Sequence, residues 1–420
     1  MGVPESEPIR ADRLKVAYVM SRFPKLTETF VLFEMLAVEE QGLDVGLYPL
    51  LRQWEPVVHP DAIPLTDRAH FHPFLSRAIL RSQLAFLRRS PRTYLTTLWA
   101  LLRGTWGSLN FFVGAAAIFP KVVHVARLMA AEGVDHVHCH FANHPAAAGF
   151  VIHRLTGIPF SFTAHGFDLH VDRRMLCAKI ADAAFVVPIS KYNRELIVKE
   201  CGEHVRRKLV VIHCGVDTRF FRPADPSPVD QGPLSILCIG KLHEVKGQKH
   251  LVEACRLLYE AGIDFACAFV GDGPDRRELT RQIAESGLEG RVVILGERDR
   301  LEIARLLSSA HVLAAPSVPA RSGKREGIPV VLMEAMSAEV AVVASRLSGV
   351  PELVEDGVSG LLVPPGDAAA LAAALRRLHA GPALRRMLAQ NGRKKVLAEF
   401  DVRKNAAELV RHFKAARVPT

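Results

Sequence analysis

The sequence predicts an α/β protein made of two doubly wound parallel sheets. Two observations predict it: short apolar runs alternate with helical patterns along all 420 residues, and the alternation restarts after a proline-rich stretch. A composition of 49% apolar and 23% charged residues excludes a disordered or fibrous chain.

In the first half LKVAYVM (14–20) reads as a buried strand. VDHVHCHF (134–141), IPFSFTAH (158–165), AAFVVPIS (183–190) and KLVVIHCG (208–215) follow it. Pro223, Pro226, Pro228 and Pro233 then crowd a segment that cannot continue a strand and marks a domain boundary. The second set runs LSILCIG (234–240), DFACAFVG (264–271), RVVILG (291–296), AHVLAAPS (310–317), VAVVASR (340–346) and GLLVPP (360–365). Helical patterns lie between, such as HLVEACRLLYEAG, which stops at Gly262 as a C-terminal cap would. The tail is helical and broken at Gly381-Pro382. The expected division is a domain over 1–217, a second over 218–402, and a last helix, 403–420, packed back on the first. Ligands of such sheets bind outside the carboxyl ends of the strands, so the expected site is a cleft where the two sets of loops face each other.

No run of ~18 uncharged apolar residues is present, and Leu109 to Pro120 is too short to span a bilayer. The polar, acidic start MGVPESEPIRADR is unlike a signal peptide. The seven cysteines are odd in number and form no C-x-x-C pair, which predicts reduced core thiols and a cytoplasmic protein. The net charge of +10 is uneven. From Arg68 to Ala131 there is no Asp or Glu but nine Lys or Arg, interleaved with Phe71, Phe74, Phe86, Tyr94, Trp99, Trp106, Phe111 and Phe112. That mixture suits the anionic inner face of a plasma membrane, and no nucleic-acid motif accompanies it.

The chemistry concentrates in a few segments. In REGIPVVLMEAM, Glu326 precedes Gly327, Ile328 and Pro329, a good first helical residue, and Glu334 follows eight residues later. A loop acid, a helix acid and free amides at a helix start can hold sugar hydroxyls, ribose hydroxyls and a diphosphate. On spacing alone, two solvated glutamates flanking an ordinary helix is the stronger reading. GKLHEVKGQKHL adds Lys241 and Lys246 after a strand, where they can neutralise a diphosphate leaving group or form a plain surface cluster. FTAHGFD places His165 at a strand end, able to bond a substrate hydroxyl or shuttle a proton. His136, His138 and His140 share one strand face, but three ligands on one straight strand do not readily close a tetrahedral site, and no metal is expected. The loop SRFPKLTETF offers Ser21, Phe23, Thr27 and Thr29 where many nucleotide-binding folds carry glycines. An acceptor- or phosphate-side role and a helix-capping role for Thr27 both remain open. Gly271 and Gly273 in VGDGP indicate no more than a tight turn.

Together these segments resemble the retaining GT-B glycosyltransferases of family 4, the group 1 glycosyltransferases. The likeness runs nearly end to end: SRFPKLTETF, HCHFANHP, FTAHGFDL, VPISKYNREL, VIHCGVDTRFF, GKLHEVKGQKHL, VGDGP and, most specifically, EGIPVVLMEAM through GVPELVEDGVSGLLVPPGD. The loop SRFPKLTETF and the segment PSVPARSGKREGIP resemble most the branch that builds exopolysaccharides such as colanic acid. The resemblance implies transfer of a sugar, with retention, from a nucleotide diphosphate sugar, a UDP-sugar, to a glycan or lipid-linked acceptor, without metal or other cofactor. It puts Glu326 and His165 at the donor sugar and Glu334 at the ribose. Lys241, Lys246, Gly327, Ile328 and Pro329 take the diphosphate, and Ser21, Phe23 and Thr29 the acceptor or phosphate side. Three positions depart from the pattern: Lys241 where Arg is usual, and Glu339 and Ala341 where Gly and Pro are. A nucleotide-sugar epimerase and a non-catalytic scaffold on the same fold are the alternatives. The first would need no acceptor; the second would have lost carboxylates or lysines.

Overall fold

The computed structural model describes residues 13–25, 28–54, 59–170, 172–224 and 232–417. The chain divides into two compact units. One comprises Met1–Thr163, Arg174–Val187 and Ala406–Thr420; the other comprises Ala164–Arg173 and Pro188–Asn405. Residues 164–173 and 188–217, which precede the boundary expected from the prolines, thus pack with the second unit. Most of the proline segment lies outside the described residues.

The first unit carries β1 (Lys15–Phe23), β2 (Asp44–Arg52), β3 (His136–His140), β4 (Phe160–Ala164) and β5 (Phe185–Pro188) in the order β2-β1-β3-β4-β5. The pairs β1·β2, β1·β3 and β3·β4 are parallel. Two strand expectations need correction. β2 was missed because Gly46 and Pro49 interrupt its apolar pattern, yet an edge strand tolerates a residue without an N–H. KLVVIHCG, expected as a strand, forms none: within it only Leu209 makes an isolated bridge, and Val216, just after it, bridges Asp401, so the β-branched run is not part of a continuous ladder.

Residues 77–131 fold as three helices, Arg77–Arg89, Pro91–Thr105 and Leu109–Ala131. The last is long and apolar enough, by length and composition, to cross a membrane, contrary to the sequence expectation. The charge that ended the apolar run, Lys121, is itself buried and donates to the Leu50 carbonyl at 2.6 Å. Phe119, Val122, Val123, Ala126 and Met129 around it are buried, so this half of the helix is core of the first unit. The closing helix, Val402–Ala415, brings Phe413 against Tyr18, His136 and His138. Cys139, Cys214, Cys238, Cys255 and Cys267 are thiols outside any disulfide, but Cys177 and Cys201 are disulfide-bonded, a departure from the expectation of seven reduced thiols.

The second unit carries β6 (Leu234–Ile239), β7 (Phe265–Val270), β8 (Val292–Gly296), β9 (Val312–Ala315), β10 (Ala341–Ser345) and β11 (Leu361–Val363). They pair in parallel in the order β11-β10-β9-β6-β7-β8. The order reverses between β6 and β9. Chain leaving these two neighbours turns to opposite sides, which opens a crevice at their carboxyl ends.

The loops there are held close. Gly247, which opens the helix Gln248–Glu260, has φ +67, and a Cβ on it would lie 2.0 Å from the Pro316 carbonyl oxygen. Gly271 and Gly273 likewise let the β7 loop approach the carbonyls of Gly240 and Leu242. Gly247→Ala should therefore lower the stability of the second unit by more than about 1 kcal/mol, read as a lower urea midpoint by circular dichroism. An unchanged midpoint would show that the loop relaxes freely.

Candidate active site

The loop after β6 and the loop after β9 meet in a charged cluster. The Lys246 ammonium pairs with one Glu326 oxygen, and the Ser317 hydroxyl donates to the other. Lys246 and Glu326 are both mostly buried, and Ser317 is 3% exposed. The stem of Lys246 lies across Gly240, the first residue after β6, where an added Cβ would come 3.2 Å from Lys246 Cε. Gln248, buried, donates to the Lys241 carbonyl at 3.0 Å and ties down the base of the loop. Lys241 itself is exposed.

Next to Glu326 the backbone is open for a ligand. No described group accepts a hydrogen bond from the N–H of Gly327 or Ile328. Pro329 is the N-cap of the helix Val330–Ser337, one position earlier than expected, with φ −61 and ψ 125. Two unpaired amides at a helix start, beside a lysine, form a site for anionic oxygen.

Glu334 sits in that helix, and no hydrogen bond or ion pair from a described residue reaches its carboxylate. Burial pushes the Glu334 carboxyl up to about 7, against a smaller downward pull from Arg300. A half-buried acid without a partner is costly unless something else bonds it.

The turn after β4 packs on the same loop. A Cβ at Gly327 would lie 2.9 Å from the His165 carbonyl oxygen, so only glycine admits this approach. Asp168, buried, accepts from the N–H groups of His165 and Gly166 at 3.0 and 2.9 Å, and fixes the turn. His165 is 8% exposed, and its Nδ1 lies 3.7 Å from Cys214 Sγ.

In this unit the structure brings together Lys246, Glu326, Gly327, Ile328 and the His165 turn. Sequence reasoning missed Ser317, Gln248 and Asp168. Ser317 could have been found as the hydroxyl straight after a strand at the switch point. Glu352, in the motif PELVEDG, also supports the backbone, since its carboxylate accepts from the N–H groups of Lys191 and Tyr192, both at 2.8 Å. The unusual Glu339 adopts φ +56, and its carboxylate lies 3.7 Å from Arg393 Nε, so the turn after the helix forms without its usual glycine.

The expected residues of the first unit lie at the end of β1 and the start of the helix that follows it. Ser21 and Phe23 end β1, Phe23 is buried, and Thr29 opens the helix Thr29–Glu40. Thr27 lies outside the described residues.

Comparison with known proteins gives the family. Residues 223–395 match the family model "Glycosyl transferases group 1", and residues 103–220 match "Glycosyltransferase Family 4". The putative colanic acid biosynthesis glycosyltransferase WcaL of Salmonella typhimurium is 30% identical over 386 residues, which cover 86% of this chain and 90% of that one. The chain belongs to the group 1 glycosyltransferases. The amylovoran biosynthesis glycosyltransferase AmsK of Erwinia amylovora is 39% identical over 222 residues, but that match spans 53% of this chain and 54% of AmsK. Among solved structures, a glycosyltransferase from Rickettsia africae superposes with a TM-score of 0.72 at 17% identity, over 96% of this chain and 99% of that one. HepE of Anabaena, solved with UDP, gives 0.71 at 17% identity over 96% and 100%. These likenesses show the GT-B fold of the family: two Rossmann-like parallel-sheet domains.

The carboxyl of Glu334 carries a checkable pH signature. Its proton is held up to about pH 7 in the folded state, against an ordinary value of 4.5. The folded state then binds the extra proton in between. Its stabilising contribution is full below the unfolded value and is lost as pH rises through about 7. Between pH 5 and 8 the urea midpoint of Glu334→Gln should rise relative to that of the wild type, because the buried histidines, whose lowered values favour folding as pH rises, are common to both; a constant difference would contradict the assignment.

Proposed function

We propose that this glycosyltransferase moves a sugar from a UDP-sugar to a lipid-linked glycan in exopolysaccharide assembly, with retention at the anomeric carbon. The observation that carries the reading is the meeting of Lys246, Glu326, Ser317 and the unpaired amides of Gly327 and Ile328 at the switch point of the second sheet. A diphosphate fits that set. Its oxygens would draw the Lys246 ammonium from Glu326 and accept from the two amides, with Lys241 as a second cation at the exposed end of the loop. The released Glu326 carboxylate, still held by Ser317, would turn to hydroxyls of the donor sugar. Glu334, which no described residue bonds, would accept from ribose hydroxyls, and His165 would face the sugar.

The UDP and UDP-glucose bound to HepE support this class of donor. AmsK and WcaL, named for amylovoran and colanic acid synthesis, support the exopolysaccharide assignment. Retention follows from the family the motifs resemble. A front-face course fits it: the bond from the anomeric carbon to the diphosphate breaks as the acceptor oxygen bonds on the same face, and the acceptor proton passes to the departing phosphate oxygen. Lysines and amides carry the leaving-group charge, so this chemistry calls for no metal ion.

The acceptor side is read from the surface of the helices Arg77–Arg89, Pro91–Thr105 and Leu109–Ala131. Leu80, Leu84, Leu95, Trp99, Trp106 and Leu109 are all exposed there. So are Arg77, Arg81, Arg88, Arg89, Arg92 and Arg103, with no acid in the stretch. Exposed tryptophans and leucines among arginines suit an anionic bilayer, at which each engaged cation contributes about 1 kcal/mol. The enzyme would then work peripherally, at the cytoplasmic face of the membrane that holds its acceptor.

Glu326→Gln should lower turnover at least 100-fold and leave the circular dichroism spectrum unchanged, because the acid acts mainly on the transition state. Wild-type turnover in this variant would remove Glu326 from the site. Changing Arg77, Arg81, Arg88, Arg89 and Arg92 together to Gln should abolish sedimentation with anionic liposomes and spare UDP binding. Equal sedimentation of the variant, or wild-type binding that ignores salt, would refute the membrane face.

A further inference from the structure

The first unit holds a second cluster that the transfer chemistry does not use. His138 and His140 stand two residues apart on β3 and so share a face. Glu34, on the helix Thr29–Glu40, reaches over that face. Its Oε1 lies 3.1 Å from His140 Nε2 and 3.9 Å from His138 Nε2. One donor atom from each of the three falls within 4.8 Å of the others. We propose that Glu34, His138 and His140 form a binding site for a divalent transition-metal ion, with Zn²⁺ as the occupant.

The geometry is close to what such an ion needs. Zn²⁺ bonds imidazole nitrogen and carboxylate oxygen at about 2.0–2.1 Å, so tetrahedral ligands stand about 3.3 Å apart. The pair of Glu34 with His140 already meets this, and the remaining gaps close with side-chain shifts of about an ångström. The sequence leads to an expectation of no metal, because ligands on one straight strand do not readily close a tetrahedral set. The helix overcomes that objection by adding Glu34, and His136 is left out of the set.

The surroundings are also those of a metal site. Ser161 Oγ lies 2.8 Å from His138 Nδ1. With a proton on Nδ1 donated to that oxygen, Nε2 carries a lone pair, which can accept from the Thr163 hydroxyl and which an ion would take over. Thr163 Oγ1, 3.0 Å from the same Nε2, and the Tyr18 hydroxyl, 3.2 Å from Glu34 Oε1, are placed to hold a water in a fourth position. The rings of Tyr18 and Phe413 stand 5.6 Å from His140 and 5.2 Å from His138 and dry the site. Both histidine side chains are fully buried, while Glu34, 22% exposed, gives a path of entry. No described Lys or Arg pairs with Glu34. Imidazoles ligate a metal through a neutral nitrogen, so the bound set of two imidazoles and one carboxylate would be anionic and a dication would neutralise it. The imidazole and carboxylate set, without thiolate, suits Zn²⁺. Bound there, the ion would clamp the helix Thr29–Glu40 to β3; Lys246 and Glu326 belong to the other unit.

The test uses the full chain, stripped with chelator and dialysed against buffered Zn²⁺, with metal content read by emission spectroscopy. The expected result is one Zn²⁺ per chain, and visible d–d bands of a low-symmetry site when Co²⁺ replaces it. Glu34→Gln and His140→Gln should each weaken Zn²⁺ binding at least tenfold, whereas His379→Gln, in the second unit, should not. No uptake by the wild type, or wild-type affinity in both site variants, would overturn the proposal. Should a variant fail to fold, the wild-type stoichiometry and Co²⁺ spectrum decide alone: absence of both refutes the site.

Discussion

The ion pair of Lys246 with Glu326 is the interaction on which the rest of the second unit is arranged. Each charge comes from a different loop, one after β6 and one after β9, and each is mostly withdrawn from water. Such pairs return little net stability, because desolvation offsets much of the attraction. On the proposed reading the arrangement serves a diphosphate: the pair would keep a cation and an acid preorganised, and an anionic ligand would take over the lysine and free the acid. Ser317, bonded to the far oxygen of Glu326, would hold it during that exchange.

The scaffold exists to make this meeting possible. The reversal of strand order between β6 and β9 opens the crevice. Close backbone approaches at Gly247 and Gly327 then bring three loops within reach of one another. A side chain at either position would push a carbonyl away, the Pro316 carbonyl in one case and the His165 carbonyl in the other. Glu334 complements the loop. No described residue bonds its carboxyl, which burial raises toward neutrality, a state that ligand hydroxyls would relieve.

Much of this was legible in the sequence, because parallel strands buried on both faces write themselves as apolar runs. All six strands of the second sheet fell on runs of this kind, as did β1, β3, β4 and β5. β2 escaped because Gly46 and Pro49 mask an edge strand, and KLVVIHCG misled because β-branched residues do not form a strand without a neighbour to pair with. Lys246, Glu326 and Glu334 could be picked out through their motif, not through spacing, which by itself favoured solvated glutamates. Ser317, Gln248 and Asp168 could not, since a buried polar side chain is defined by partners distant in sequence. The same holds for Glu34, which lies more than a hundred residues from His138 and His140, yet shares their pocket.

The measurement that bears most directly on the account is calorimetric titration of UDP and of uridine into the wild type and Lys246→Ala. If Lys246 and the amides of Gly327 and Ile328 hold a diphosphate, the wild type binds UDP at least 100-fold more tightly than uridine, and Lys246→Ala loses most of that preference while binding uridine as before. Equal affinities for UDP and uridine in the wild type, or a preference unaltered in Lys246→Ala, would contradict it.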